Sequence, residues 1–141
     1  GLPKSITSSG VDILQKGVHD TSITSFKYGG NRMGHVFVSW LHPFKEHRFV
    51  IVGSKGMLHF EDAKEKKRLI FYKKSVILNG NLPVSKSEGT FELNFSNELP
   101  LESELKYFIS NMNGKIEKAN GDSAVEVMKI LELASKSLID N

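Results

Sequence analysis

Residues 32–45 read RMGHVFVSWLHPFK, and the reading of this stretch decides the fold. In an extended strand His35, Phe37, Ser39 and Leu41 point one way, and Val36, Val38, Trp40 and His42 point the other. Both sides are largely apolar. The following stretch repeats the pattern, with Phe49 and Ile51 opposite Val50 and Val52. An antiparallel sheet with one face in water alternates apolar with polar residues. These strands do not, so each face of the sheet calls for a cover.

Outward from that stretch, the hydrophobic period is 2 over the first two thirds of the chain and 3.6 over the last third. The period-2 segments predict strands over Lys4–Leu14, Val18–Tyr28, Arg32–Leu41, His47–Gly53, Met57–Phe60, Arg68–Lys73 and Thr90–Phe95. YGGN at 28–31 and GSKG at 53–56 supply the glycine and asparagine that tight hairpins need. The strands therefore form an antiparallel meander. ELPLESELKYFISNMNG, residues 98–114, predicts a helix, with Pro100 in the first turn, Glu102 and Glu104 near the positive end of its dipole and Gly114 as the stop. A second helix is expected to open at SAVE, where Ser123 and Glu126 are spaced as a capping box. Leu101, Leu105, Phe108, Ile109 and Met112 line the first helix, and Val127, Ile130, Leu131, Ala134 and Leu138 line the second. Two amphipathic helices cover one side of a sheet. The expectation is one α+β domain over residues 1–141, mainly strands over 1–98 and mainly helices over 99–141, built as an open-faced, mostly antiparallel sheet with helices on one face. The other face predicts a partner, because an apolar patch of several such side chains marks an interaction surface.

Composition narrows the chemistry. The 141 residues contain no cysteine, which removes disulfide frameworks, thiolate nucleophiles and cysteine metal sites and fits a cytoplasmic protein. No apolar run approaches the roughly 20 residues of a membrane helix, and GLPKSITSSG has neither a charged leader nor an apolar signal core. A start at glycine fits a processed product or an excised domain. The net charge is +3 and the pI about 9.1, which raises nucleic acid as a partner. The basic residues concentrate in AKEKKRLIFYKK, residues 63–74, and read as a solvated hairpin with Lys64, Lys66, Lys67 and Arg68 around its tip. Phosphate binding recruits a broader basic face with stacking aromatics, so nucleic acid ranks below the other readings.

Catalytic constellations fail one by one. His42 and His47 lack the cysteine or carboxylates that complete a metal set. Ser39 and His42 point to opposite faces of one strand, and no GxSxG is present. GSKG lacks the spacing of a phosphate loop. His19, in GVHDTS, sits in strand-like alternation with Thr21, Ile23 and Ser25 and reads as a sheet-face histidine.

The stretch HVFVSWLHPFKEHRFVIVGSKGMLHFED, followed by PLESELKYFISNMNGK and GDSAVEVMKILELASKSL, resembles the C-terminal domain of the Gfo/Idh/MocA oxidoreductases, and within them the bacterial UDP-N-acetyl-sugar 3-dehydrogenases. The most specific part is SWLHPFKE followed by a strand and GSKGML. The resemblance implies a substrate and oligomerisation domain attached to an N-terminal Rossmann domain that binds NAD(P). It implies hydride removal from a sugar carbinol carbon, with a lysine and a histidine of the parent protein handling the proton. Neither lysine motif nor GxGxxG occurs here, and the family's histidine, four residues after an aspartate, is expected upstream of Gly1. His19 does not replace it, since Asp12 is seven residues away. The reading therefore places no catalytic, cofactor or metal residue in this chain and expects it to be inactive alone. Trp40, His42 and Lys45, at the end of the quoted strand, are the candidate substrate rim: a flat ring, an imidazole and an ammonium for a nucleotide-sugar's base, hydroxyls and diphosphate. The expected partners are the Rossmann domain, a second copy across the open sheet face and a nucleotide-sugar. The rival readings are a freestanding binding or dimerisation module and a basic nucleic-acid binder.

Overall fold

A computed structural model describes residues 1–63, 67–96 and 98–139. Among them the elements run β1 (Ser5–Val11), β2 (Thr21–Tyr28), β3 (Arg32–Ser39), β4 (Arg48–Gly53), β5 (Gly56–Glu61), β6 (Arg68–Asn79), β7 (Leu82–Leu93), α1 (Pro100–Ser110) and α2 (Gly121–Ile139). They divide into two units, Gly1–Pro43 with Leu105–Asn141, and Phe44–Glu104. The meander is antiparallel throughout, as the turn chemistry predicts, but it forms two sheets where the sequence suggested one. Their orders are β1-β2-β3 and β4-β5-β6-β7.

In the first unit Gly30 and Asn31 take the left-handed backbone, with φ of 70° and 55°, and close the β2–β3 hairpin. The register sets Ile23 opposite Phe37 and Ser22 opposite Val38. Helix α2 lies against β1. The Ser8 amide donates to Ser137 Oγ at 2.9 Å, and the Ser8 and Thr24 hydroxyls share a hydrogen bond of 2.9 Å. Gly10 permits this approach: a Cβ there would stand 2.8 Å from the Thr21 carbonyl oxygen and 3.0 Å from a Leu138 methyl. The helix does not open with the expected Ser123–Glu126 capping box. Asn120 is the cap, its Oδ1 accepting from the Ser123 amide at 2.9 Å while Ser123 Oγ donates back to the Asn120 carbonyl at 2.8 Å. The cap thus lies three residues earlier, and the Ser123 hydroxyl donates to a carbonyl where a capping box would accept from an amide.

In the second unit Ile51, Leu58, Phe71 and Phe91 fall in one cross-strand row, and Phe49, Phe60, Leu69 and Leu93 in the next. These rows share a face on which Phe71 stacks on Phe91 at 6.5 Å and Phe60 meets Phe95 edge-on at 5.6 Å. The sequence reading stopped β6 at Lys73 and resumed at Thr90. The strands instead continue to Asn79 and from Leu82 as a ribbon, past a bulge between Tyr72 and Lys74. Pro83 and the polar run from Ser85 to Ser87 disguised β7, yet an edge strand tolerates both.

No apolar side chain is fully buried among the described residues; the buried residues are Ser8 and Asp20. Phe37, Phe49 and Ile51 remain at least half exposed, and Phe91 nearly so. The apolar character that the sequence placed on both faces is thus present and largely uncovered.

Candidate functional site

Strand β3 ends at Ser39, two residues before the predicted Leu41, and one further backbone bond beyond it reaches Asp20. Asp20, only 7 % exposed, accepts the Ile13 and Leu14 amides at 2.7 Å each, both on Oδ2. Its own amide donates to the Val11 carbonyl at 2.9 Å and its carbonyl accepts from the Trp40 amide at 2.8 Å. One residue therefore fixes the end of β1, the loop after it and the exit from β3. Within that loop Asp12 Oδ2 accepts the Gly17 amide at 2.7 Å, and this bond holds the Asp12 carboxyl below its ordinary value. Gly17 has a φ of 82°, which a glycine takes at no steric cost.

The result is an open cleft of about 340 Å³ lined by His19, Asp20, Ser22, Val38, Ser39 and Trp40. Trp40 stands at its mouth 86 % exposed. His19 is outside the strand that the sequence placed it in, since β2 begins at Thr21. Its ring lies 2.8 Å from where a Gly10 Cβ would stand. The Ser39 hydroxyl is engaged with Thr21 Oγ1 at 2.7 Å and accepts the Leu41 amide at 3.1 Å, so its bonds serve the strand end.

Of the expected rim, Trp40 is in this cleft. His42 turns to the ring of Phe37, edge-on with centroids 6.3 Å apart. Phe37 belongs to the strand face opposite Trp40, so the alternation that grouped Trp40 with His42 does not survive the end of β3. Lys45 is an exposed residue of the second unit, and its neighbour Glu46 meets Arg48 at 3.6 Å. The sequence reading missed Asp20 and Ser22. An aspartate just ahead of a strand and after a glycine-containing loop was the available signal, since such a carboxylate commonly collects loop amides.

Elsewhere the chemistry is sparser. Of the basic hairpin, Lys64 and Lys66 lie outside the described residues. Lys67 pairs with Asp62 at 2.7 Å, which lowers the Asp62 carboxyl. Arg68 pairs with Glu92 at 2.9 Å, and Lys73 and Lys86 both reach Glu88. These acidic partners support the solvated reading of that segment. His59 Nε2 is buried with no hydrogen bond and lies 3.9 Å from Glu61. No group of three metal-ligating side chains occurs among the described residues. A second hollow, about 230 Å³, lies between Leu2, Pro3 and the α2 residues Lys129, Ile130, Leu133 and Lys136. It is a seam where the N-terminal segment meets the helix. No helix among the described residues is long and apolar enough to cross a membrane.

Residues 1–59 match the family model described as the GFO/IDH/MocA C-terminal domain. The match supports that family. It spans β1 to β4 and most of β5, and so contains the Asp20 anchor, the cleft and the SWLHPFKE segment. Neither the curated proteins nor the solved structures give a match.

Proposed function

We propose that this chain is the substrate-binding and assembly domain of an NAD(P)-dependent sugar dehydrogenase of the Gfo/Idh/MocA kind, acting on a nucleotide-linked aminosugar. The observation that carries the reading is the family match over residues 1–59. The chain's own residues do not fit the dinucleotide. The sequence has no GxGxxG, and the described sheets are antiparallel where a dinucleotide cradle needs a parallel strand feeding a helix. The cofactor is therefore assigned to a Rossmann domain of the parent protein, and this chain alone transfers no hydride.

Its role is to present one end of the sugar and to hold subunits together. Trp40, in the cleft with His19, Asp20 and Ser22, is the substrate-facing residue of the first unit. The exposed sheet face carrying Phe49, Ile51 and Phe91 is the assembly surface, since apolar patches of that kind seldom stay in water and symmetric pairing with a second copy covers them most simply.

The reading is tested with the parent protein. A protein carrying this chain behind a Rossmann domain should reduce NAD(P)⁺ in the presence of UDP-N-acetylhexosamines, followed by absorbance of the reduced nicotinamide. A parent gene with no dinucleotide-binding domain overturns the reading in favour of a freestanding module. For assembly, Phe49→Lys and Phe91→Lys should each shift an oligomer toward monomer in sedimentation velocity. A wild-type chain that sediments as a monomer, alone and within its parent, removes the assembly role.

A further inference from the structure

We infer that Asn79, at the tip of the hairpin between β6 and β7, is a site of spontaneous covalent modification: deamidation through a cyclic imide formed with the Gly80 amide. The sequence holds three Asn-Gly pairs, Asn79–Gly80, Asn113–Gly114 and Asn120–Gly121. Identical dipeptides carry the same intrinsic chemistry, so a choice among them is made by the fold.

The reaction consumes only water. The Gly80 backbone nitrogen gives its proton to solvent base and attacks Asn79 Cγ. The new N–C bond closes a five-membered imide as the Cγ–Nδ2 bond breaks and ammonia leaves. Water then adds to one of the two imide carbonyls and reopens the ring, giving aspartate from one side and isoaspartate from the other. Nothing is oxidised or reduced, and an –NH₂ has been exchanged for an –OH. Three conditions follow: the next residue's amide must be unengaged, the carboxamide must be free to turn, and the backbone must be able to bring the two together.

Two of the pairs fail these conditions. The Gly114 amide donates to the Asn111 carbonyl at 3.1 Å, which commits the nitrogen that would attack Asn113. Asn120 is the cap of α2, and its carboxamide is held at both ends: Oδ1 accepts the Ser123 amide at 2.9 Å and Nδ2 donates to the Ile116 carbonyl at 3.4 Å. Its Gly121 already belongs to the helix.

Asn79 meets all three. Asn79 and Gly80 are both exposed, and neither the Asn79 carboxamide nor the Gly80 amide forms a hydrogen bond among the described residues. A Cβ built on Gly80 would meet nothing within 4 Å, so the space around the attacking nitrogen is open. Gly80, with φ of 62°, turns the chain back so that Asn79 pairs with Leu82. Beyond Tyr72 that pairing joins β6 to β7 alone, and an isolated hairpin is marginal in water. Asn79 therefore leaves the extended backbone at little cost and reaches the geometry of ring closure.

The product changes the hairpin. Either form places a carboxylate at its tip. Isoaspartate also lengthens the main chain between Leu78 and Gly80, which takes the residue out of register with Leu82 and removes the support of the next pairs, Leu78 with Pro83 and Ile77 with Val84. The four-stranded part, from Arg68 to Tyr72, is left as it was.

The test follows the folded chain in mildly alkaline buffer, with peptides mapped by mass spectrometry over time and electron-transfer fragmentation separating isoaspartate from aspartate. Lys74 and Lys86 bracket Asn79, so a tryptic peptide reports it apart from Asn113 and Asn120. Asn79 should convert at least about tenfold faster than either, the ratio given by a barrier lower by about 1.4 kcal/mol, and part of the product should be isoaspartate. In concentrated urea the three rates should converge. Asn79→Ser should remove the first acidic species seen on ion exchange, with the far-ultraviolet dichroism unchanged. Equal rates in the folded chain, or Asn113 or Asn120 converting first, overturn the proposal. A lead for Asn79 that persists in urea overturns it too, since local sequence and not the fold would then set the order, as does an early acidic species that survives Asn79→Ser.

Discussion

Ser8 and Ser137 meet across 129 positions of sequence, the amide of one donating to the hydroxyl of the other at 2.9 Å. Ser8 is 1 % exposed, and so a hydroxyl on the last turns of α2 satisfies a donor in the most secluded part of β1. Removing that hydroxyl by Ser137→Ala takes the acceptor from a buried amide. We expect a loss of about 1–3 kcal/mol, read as a lower urea midpoint at unchanged slope.

The Asp20 carboxylate gathers the Ile13 and Leu14 amides onto one oxygen. In Asp20→Asn one oxygen can still accept, but the charge that strengthens both amide bonds is gone, and a loss of about 2 kcal/mol is expected. Asp20→Ala should cost more, and should also change Trp40 emission, because the Asp20 carboxylate and Trp40 line the same cleft. An Asn variant as stable as the parent, with unchanged emission, would show that the loop does not depend on the carboxylate.

Gly53 and Gly56 flank the same β4–β5 turn and predict opposite outcomes. A Cβ on Gly56 would meet the Tyr72 carbonyl at 2.5 Å from a backbone with φ of 149°, whereas one on Gly53 has ordinary contact at 3.8 Å. Gly56→Ala should destabilise its unit by about 1–3 kcal/mol, and Gly53→Ala should be nearly neutral. Equal thermal midpoints for the two variants would contradict this geometry.

Glu88 lies between Lys73 at 2.6 Å and Lys86 at 3.2 Å, and the hydrogen bonds from these ammonium groups hold its carboxyl below the ordinary value of 4.5. A depressed folded-state value gives support that is present above the unfolded value and lost as pH falls through the lowered one. All three groups are solvent-exposed, so salt should weaken the effect. Carboxyl-detected NMR should show Glu88 titrating below 4.5, and Lys73→Met should move it back up.

The meander, both helices and the two-sided greasiness of the strands were legible because they rest on local signals: period, turn glycines, Pro100 and the acidic first turn of α1. What escaped was set by long-range contact. The Trp40 amide bonds to the Asp20 carbonyl twenty positions away, and no periodicity records that. His42 leaves its predicted face because strand alternation stops where the strand does. Asn120 displaced Ser123 as the cap because both are acceptable caps and only the chain's arrival at the helix selects between them. The Trp40 end of the rim was visible as an odd residue on a strand end. Its neighbours Asp20 and Ser22 were not, since the sheet brings them together from another strand.

The ribbon formed by Lys74–Asn79 and Leu82–Ser87 outruns β5, which pairs with β6 only from Arg68 to Tyr72. Among the described residues its rungs pair only with each other, and a lone two-stranded ladder in water is close to its melting point. Amide protons there should exchange with deuterium sooner than those of β5, and proteases should nick the molecule first at the lysines along this stretch.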